Sequence, residues 1–184
     1  MDERTERKIR DVIDRQEIWQ VLQRYGRGLD RIDRPLLRSC YFDDAIDDHG
    51  DFVGNVENFI DWASGGSNYF VAHHHGVLNH SCELDGDDAH CETYFMYMGV
   101  APKPPHLMAI GRYIDHFQRR NGEWRIANRV TVTEGTFELA DSRFGTGMPS
   151  SYGPEEAQPV TRDRSDVSYQ RPVRPRAPRP LRQL

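Results

Sequence analysis

Four runs of alternating apolar and polar residues constrain the fold of this chain more than any other feature. The runs cover residues 76–84, 89–99, 107–119 and 124–137. A period of two is typical of β-strands that bury one face. Asp85-Gly86 lies between the first two runs and Asn121-Gly122 between the last two, and such dipeptides favour tight hairpins. The pattern therefore predicts an antiparallel meander.

Helical patterns precede the strands. Residues 6–32 carry apolar side chains near helical spacing. Asp33 followed by Pro35 predicts the start of a short second helix that extends to Phe42, and a third helix is predicted over 55–64. Helices that come before a meander favour an α+β fold, in which they pack on one face of a curved antiparallel sheet.

Composition predicts one folded domain over residues 1–140 and an irregular tail over 141–184. The chain has 184 residues, enough for one domain with its own core. Its last 44 residues lose the periodicity and are rich in proline and arginine. We expect this tail to be irregular or polyproline-like, and to fold over its own body or over a neighbouring subunit.

Charge is distributed unevenly along the chain. Residues 161–184 hold seven arginines and two aspartates. Since the whole chain has a formal charge of −5, residues 1–160 carry −10 by difference. A basic tail can bind nucleic acid, but this one has no interleaved aromatic residue apart from Tyr169 and is interrupted by proline. We therefore expect no nucleic-acid partner.

The sequence also carries weaker indications of where the protein is located and of whether its cysteines are reduced. No run approaches the roughly 20 apolar residues of a membrane span, and the charged start MDERTERKIRD lacks a secretory signal. We expect a cytoplasmic protein with no membrane partner. Cys40, Cys82 and Cys91 are odd in number and widely spaced, which predicts buried reduced thiols and neither a disulfide framework nor a metal motif.

Two distant residues carry the candidate chemistry. Asp30 ends the first helical pattern, and His75 closes the run His73-His74-His75 before the first strand. A carboxylate that orients a histidine is a simple device for moving protons at neutral pH. The three histidines do not predict a metal site, because adjacent residues of a strand point to opposite faces and no ligand motif is present.

The order of these segments, with GRY at 111–113 and NGEWRI at 121–126, resembles the SnoaL-like branch of the nuclear transport factor 2-like superfamily. The resemblance covers about residues 10–140. It implies a cone of curved antiparallel sheet whose wide end is closed by the N-terminal helices, with a deep pocket inside. Fold alone does not decide function in this group.

The resemblance also suggests roles for four residues. The catalytic positions are similar to those of bile acid 7α-dehydratase, scytalone dehydratase and hexachlorocyclohexane dehydrochlorinase. It implies that His75 is the general base, that Asp30 orients it, that Tyr25 donates a proton or polarises a carbonyl, and that Arg129 anchors the substrate. Tyr25 and Asp30 diverge by roughly 140° on an ideal helix, so both reach one pocket only if the helix distorts near Gly26 and Gly28 or if Asp30 lies past the end of the helix.

Several alternating side chains are expected to line the cone. Aromatic and methionine-rich walls suit a flat apolar substrate. The predicted substrate-binding residues are Trp62, Phe70, Tyr94, Met96, Met98, Tyr113, Thr131 and Thr133. By contrast, Asp47, Asp48 and His49 are interpreted as a solvated turn.

These interpretations together predict a lyase that needs no cofactor and removes water from a hydrophobic cyclic, steroid-like or polyketide-like molecule. The same pair of residues could serve an isomerase or a cyclase, since all three reactions begin with proton abstraction. A non-catalytic domain that binds a hydrophobic ligand, and a small subunit of a ring-hydroxylating oxygenase, are the alternatives. Self-association is expected, as a trimer in preference to a dimer.

Overall fold

Within the part of the chain that the structure describes, three α-helices and six strands make up the folded body. The structure is a computed structural model that describes residues 1–66, 69–141 and 161–175. In chain order its elements are α1 (Glu3–Asp30), α2 (Arg34–Arg38), β1 (Tyr41–Asp48), β2 (Val53–Asn55), α3 (Val56–Gly66), β3 (Ala72–Asp85), β4 (Asp88–Val100), β5 (His106–Arg120) and β6 (Glu123–Leu139).

The sheet confirms the predicted meander and adds a parallel strand to it. Its order is β2-β1-β6-β5-β4-β3, and the strands from β3 to β6 pair antiparallel. Gly86 and Gly122 have positive φ angles in the hairpin turns, as their turn chemistry requires. However, β1 lies parallel to β6, so the six-stranded curved sheet is mixed and does not close on itself.

Aspartate side chains cap the start of the first two helices. The Asp2 side chain accepts from Thr5 N–H at 2.8 Å at the start of α1, and the Asp33 side chain accepts from Leu36 N–H at 3.2 Å at the start of α2. The second helix is shorter than predicted, because its last expected residue, Phe42, lies in β1.

The core lies between α1 and the inner face of the sheet. Ile18, Leu22 and Tyr25 of α1 are fully buried, as are Phe117 and Ile126 of the sheet. Each large apolar side chain buried there contributes about 1.5–3 kcal/mol. This packing fixes the position of α1, and therefore the position of Asp30 at its end.

Gly28 lets the second helix pack closely against the end of the first. A Cβ atom at this position would lie 2.9 Å from the backbone nitrogen of Leu37, too close for any side chain. Every other residue at Gly28 would push α2 away, and the end of α1 that carries Asp30 would shift with it.

An irregularity in β3 keeps both halves of the strand turned toward the helices. The pairing with β4 shifts between Val77 and His80. In a regular strand alternate residues point to opposite faces, so the inward-facing residues are either all odd-numbered or all even-numbered. The shift in β3 changes which of the two sets points inward. Because of it, His75 and Val77 face the helices in the first half, and His80 and Cys82 do so in the second.

The described part of the tail lies against the folded body. A short 3-10 helix spans Val167–Tyr169. The Tyr169 hydroxyl donates to Asp33 at 2.7 Å, and the Arg27 guanidinium lies 4.5 Å from the centre of the Tyr169 ring. Residues 161–175 thus fold over the end of α1. The rest of the predicted irregular tail, apart from Asp141, lies outside the described residues.

Candidate active site

A cavity of about 630 Å³ lies between the inner face of the sheet and the helices. Its wall is mainly apolar and aromatic, as in most small-molecule sites. The lining residues that carry an imidazole or a hydroxyl group are His49, His73, His75, Tyr97, Tyr113, Thr131 and Thr133. A second cleft of about 340 Å³, beside Gln20 and Trp124, is open and polar and has no histidine in its wall.

Asp30 and His75 meet at this cavity. The Asp30 carboxylate accepts from His75 Nδ1 at 2.6 Å through one oxygen, and from the His75 backbone N–H at 3.2 Å through the other. Both side chains are largely buried. Because the carboxylate occupies Nδ1, the ring is fixed with Nε2 as the nitrogen available to a ligand.

The position of Asp30 is unfavourable for the helix that carries it. A carboxylate in the last turn of α1 meets the negative end of the helix dipole, which costs about 0.3–1 kcal/mol in exposed cases. The two hydrogen bonds to His75 compensate for that cost. Helix stability alone therefore does not explain an aspartate here.

A second histidine–carboxylate pair lines the same cavity. His49 Nδ1 lies 2.6 Å from Asp47 Oδ1 and 3.2 Å from the Thr131 hydroxyl. The other oxygen of Asp47 accepts from the Tyr41 hydroxyl at 2.5 Å. Asp47 is completely buried. This arrangement holds the His49 ring between Phe59, Trp62 and Tyr113, again with Nε2 as the available nitrogen.

A third histidine at the cavity is a poor base. Burial, reinforced by the positive charge of Arg162, lowers the pKa of His73 to about 4. His73 is therefore neutral at physiological pH, and its Nδ1 accepts from the Arg162 guanidinium at 2.9 Å. Arg162 also donates to the backbone carbonyl of Phe70 at 2.7 Å, so the tail reaches the cavity wall.

Five of the eight predicted substrate-binding residues line the cavity. Tyr113 and Thr131 lie deep in the wall, since both are almost fully buried. The complete set of predicted residues found there is Trp62, Phe70, Tyr113, Thr131 and Thr133.

The other three predicted residues do not line the cavity. Tyr94 and Met96 are about 40% exposed on the outer face of β4, Met98 shares that face, and none of them lines the cavity. Their strand neighbours Phe95 and Tyr97 point inward instead. A period-two pattern identifies two faces, but it does not say which face meets the helices when both carry aromatic residues.

Tyr25 and Arg129 lie in the core beside the cavity and not in its wall. The helix continues without a break to Asp30, so the distortion that would bring Tyr25 beside Asp30 does not occur. Arg129 donates to both oxygens of Asp115, at 2.6 and 2.8 Å. Its guanidinium lies 4.1 Å from the ring centres of both Tyr25 and Tyr113. The expected substrate anchor is thus a buried, ion-paired arginine.

His49 and Tyr97 are among the cavity residues that sequence reasoning missed. His49 was interpreted as part of a solvated turn, although Asp47 and His49 are two apart at the end of a strand and so share a face. Tyr97 could not be found without the register, which places it directly opposite His75. The rings of His75 and Tyr97 lie 4.9 Å apart, and burial raises the pKa of Tyr97 to about 12.

The same architecture occurs in solved structures of low sequence identity. Hexachlorocyclohexane dehydrochlorinase LinA-type3 from Novosphingobium barchaimii is 17% identical, with a TM-score of 0.69 over 76% of this chain and 99% of that one. A candidate scytalone dehydratase from Novosphingobium aromaticivorans is 16% identical, with a TM-score of 0.65 over 78% and 97%. A protein from Kribbella flavida is 18% identical, with a TM-score of 0.64 over 69% and 95%. At these identities the likeness concerns the fold.

No curated protein sequence matches the chain significantly. In the described residues no helix has the length and apolar character needed to cross a membrane. A model of the SnoaL-like domain matches residues 10–130, a range that contains α2, α3, β1 to β5, most of α1 and the first half of β6. The chain therefore belongs to the family of SnoaL-like domains, as its segment order predicted.

Proposed function

We propose that this protein is a cofactor-independent lyase that acts on a hydrophobic cyclic, steroid-like or polyketide-like molecule. The observation that carries the proposal is the double contact between Asp30 and His75 at the wall of a large apolar cavity. A base fixed by a buried carboxylate, beside a space for a flat ligand, suits the removal of a proton from carbon.

The first half of the proposed reaction belongs to His75. With Nδ1 held by Asp30, the lone pair on Nε2 accepts a proton from the carbon next to a substrate carbonyl. Asp30 balances the positive charge that develops on the ring. Positioned acid–base groups of this kind contribute about 10²–10⁴-fold to the rate.

The second half needs an acid, and His49 fits that role better than Tyr25. Tyr25 is fully buried away from the cavity, whereas His49 lines it and is backed by Asp47. A protonated His49 would give a proton to the departing hydroxyl, so that water leaves. The proton taken up by His75 then passes to solvent, and His49 takes up a proton from solvent, so that both rings return to their starting states.

Proton abstraction can be tested without knowledge of the leaving group. We expect the protein to exchange the α-hydrogens of bound polycyclic ketones for deuterium in D₂O, measured by mass spectrometry over a panel of steroid and anthrone-type ketones. Hydroxylated members of the panel should also lose water. Tight binding of these ketones with no exchange above background in any of them would favour the non-catalytic binding domain instead.

Substitution of His49 should separate the step assigned to this residue, loss of the hydroxyl group, from the proton abstraction assigned to His75. We expect His49→Gln to lower dehydration by about 10²-fold or more, while α-hydrogen exchange continues within a few-fold of the unchanged protein. His90→Gln is the matched control, because His90 is exposed on β4. Equal loss of exchange and dehydration in His49→Gln would contradict the acid role. Isomerisation or ring closure in place of water loss would identify the alternative reaction of the same base.

The inner face of β5 offers a test of where the ligand binds. Ala109 lines the cavity, directly opposite Tyr97 in the sheet, while Met108 lies on the other face. Ala109→Trp should fill the cavity and weaken binding of a polycyclic ketone by about 10-fold or more, which corresponds to about 1.4 kcal/mol. Met108→Trp should leave affinity unchanged. Fluorescence titration of both variants measures the difference, and equal affinities would place the ligand elsewhere.

A further inference from the structure

Three metal-ligating side chains meet on the strand pair β3–β4, outside the cavity. Cys82 lies directly opposite Cys91, and His80 lies opposite Thr93 on the next inward-facing pair. One nitrogen of His80 and the two sulfur atoms all lie within 4.8 Å of one another. None of the three residues lines the candidate active site, so the proposed lyase reaction does not explain them.

The His80 ring is oriented as a metal ligand would be. Its Nδ1 lies 2.8 Å from the hydroxyl of the buried Thr93. Its Nε2 is buried and has no hydrogen-bond partner among the described residues. Metal-binding histidines typically fix one ring nitrogen through such a hydrogen bond and offer the other to the ion. A buried ring nitrogen without a partner is otherwise costly.

The two thiols lie side by side and are shielded from solvent to different degrees. Cys91 is fully buried and Cys82 is half-buried beneath α1. A thiolate is the form of cysteine that binds metals.

We propose that His80, Cys82 and Cys91 form a binding site for a thiophilic divalent ion of the zinc class. Two sulfur ligands and one imidazole suit such an ion and disfavour magnesium or calcium, which require oxygen ligands. Metal–ligand distances of about 2.3 Å to sulfur and 2.0 Å to nitrogen need only a small contraction of the cluster. Three protein ligands leave a fourth position for water or a small anion.

Cobalt(II) gives a direct test, because its thiolate complexes absorb characteristically. The full chain, reduced and freed of metal with a chelator, should bind one cobalt ion and show a thiolate-to-metal charge-transfer band together with the strong visible bands of four-coordinate cobalt. Zinc should displace both. Cys82→Ser and His80→Gln should each weaken binding by at least about 10-fold. Cys40→Ser and His90→Gln are the controls, since neither residue belongs to the cluster.

A second measurement on the unchanged protein does not depend on any variant folding. Zinc should slow alkylation of Cys82 by iodoacetamide at least 10-fold, measured by peptide mass spectrometry, and should raise the melting temperature by mass action. Alkylation at the same rate with and without zinc would overturn the proposal. So would cobalt binding without a charge-transfer band, or a Cys82–Cys91 disulfide that forms under air while zinc is present in excess. None of these outcomes bears on the lyase proposal.

Discussion

His75→Gln should abolish α-hydrogen exchange and dehydration while leaving the fold intact. Glutamine keeps a polar side chain near Asp30 but cannot accept a proton at neutral pH. Loss of a positioned base lowers the rate by about 10²–10⁴-fold, so activity should fall close to background. Rates of deuterium uptake in a polycyclic ketone measure the effect, with circular dichroism to confirm the fold.

His74→Gln is the matched control for this substitution. His74 precedes His75 on β3 but is exposed on the opposite face, so it should keep full activity. The exchange rate of Asp30→Asn should lie between those of His75→Gln and His74→Gln. The asparagine amide preserves a hydrogen bond to His75 Nδ1 but no longer balances the positive charge on the ring. Retention of more than a tenth of the exchange rate in His75→Gln, with the fold preserved, would eliminate the proposed mechanism.

The largest expected effect on stability is at Arg129. Its guanidinium and the Asp115 carboxylate form two parallel hydrogen bonds with no exposure to solvent. Arg129→Met would leave a buried carboxylate without its partner, and breaking such a pair costs about 3–5 kcal/mol. A domain of this size has a total free energy of unfolding of about 5–15 kcal/mol. The midpoint of urea unfolding should therefore shift to a clearly lower urea concentration.

Two further variants separate a structural role of Arg129 from the predicted role as substrate anchor. Replacing both partners by apolar residues, as in Arg129→Met with Asp115→Leu, should recover much of the lost stability. Arg112→Met is the surface control, because Arg112 pairs with Glu92 and Glu134 at the sheet surface and should change stability little. An Arg129→Met protein with an unchanged unfolding midpoint but weakened ketone binding would restore the anchor role.

The sequence predicted most of the fold because its local signals agree with one another. Capping at Asp33, the glycines of the two hairpin turns and the alternation of the four long strands all depend on nearby residues. The parallel pairing of β1 with β6 escaped prediction. Residues 41–48 and 126–130 lie about 80 positions apart, and no local pattern encodes a contact at that distance.

The candidate site was predicted only in part, for the same reason. Asp30 and His75 were selected through family resemblance, and Tyr113, Thr131 and Thr133 through alternation along the strands. Tyr94 and Met96 were assigned to the cavity, although Phe95 and Tyr97 occupy it, because inward and outward faces of β4 differ by one residue in register.

What the chain's own sequence determines is the set of elements and their order, since helix caps, turn dipeptides and hydrophobic periods act over a few residues. Tertiary structure alone decides which side chains lie close together. It brings His75 to Asp30, places Asp47 and His49 at the same cavity, and brings Cys82 to Cys91 and His80. These contacts depend on the register of the sheet, on the irregularity between Val77 and His80 and on the packing of α1. Each of these is fixed by the whole core at once and not by any single segment.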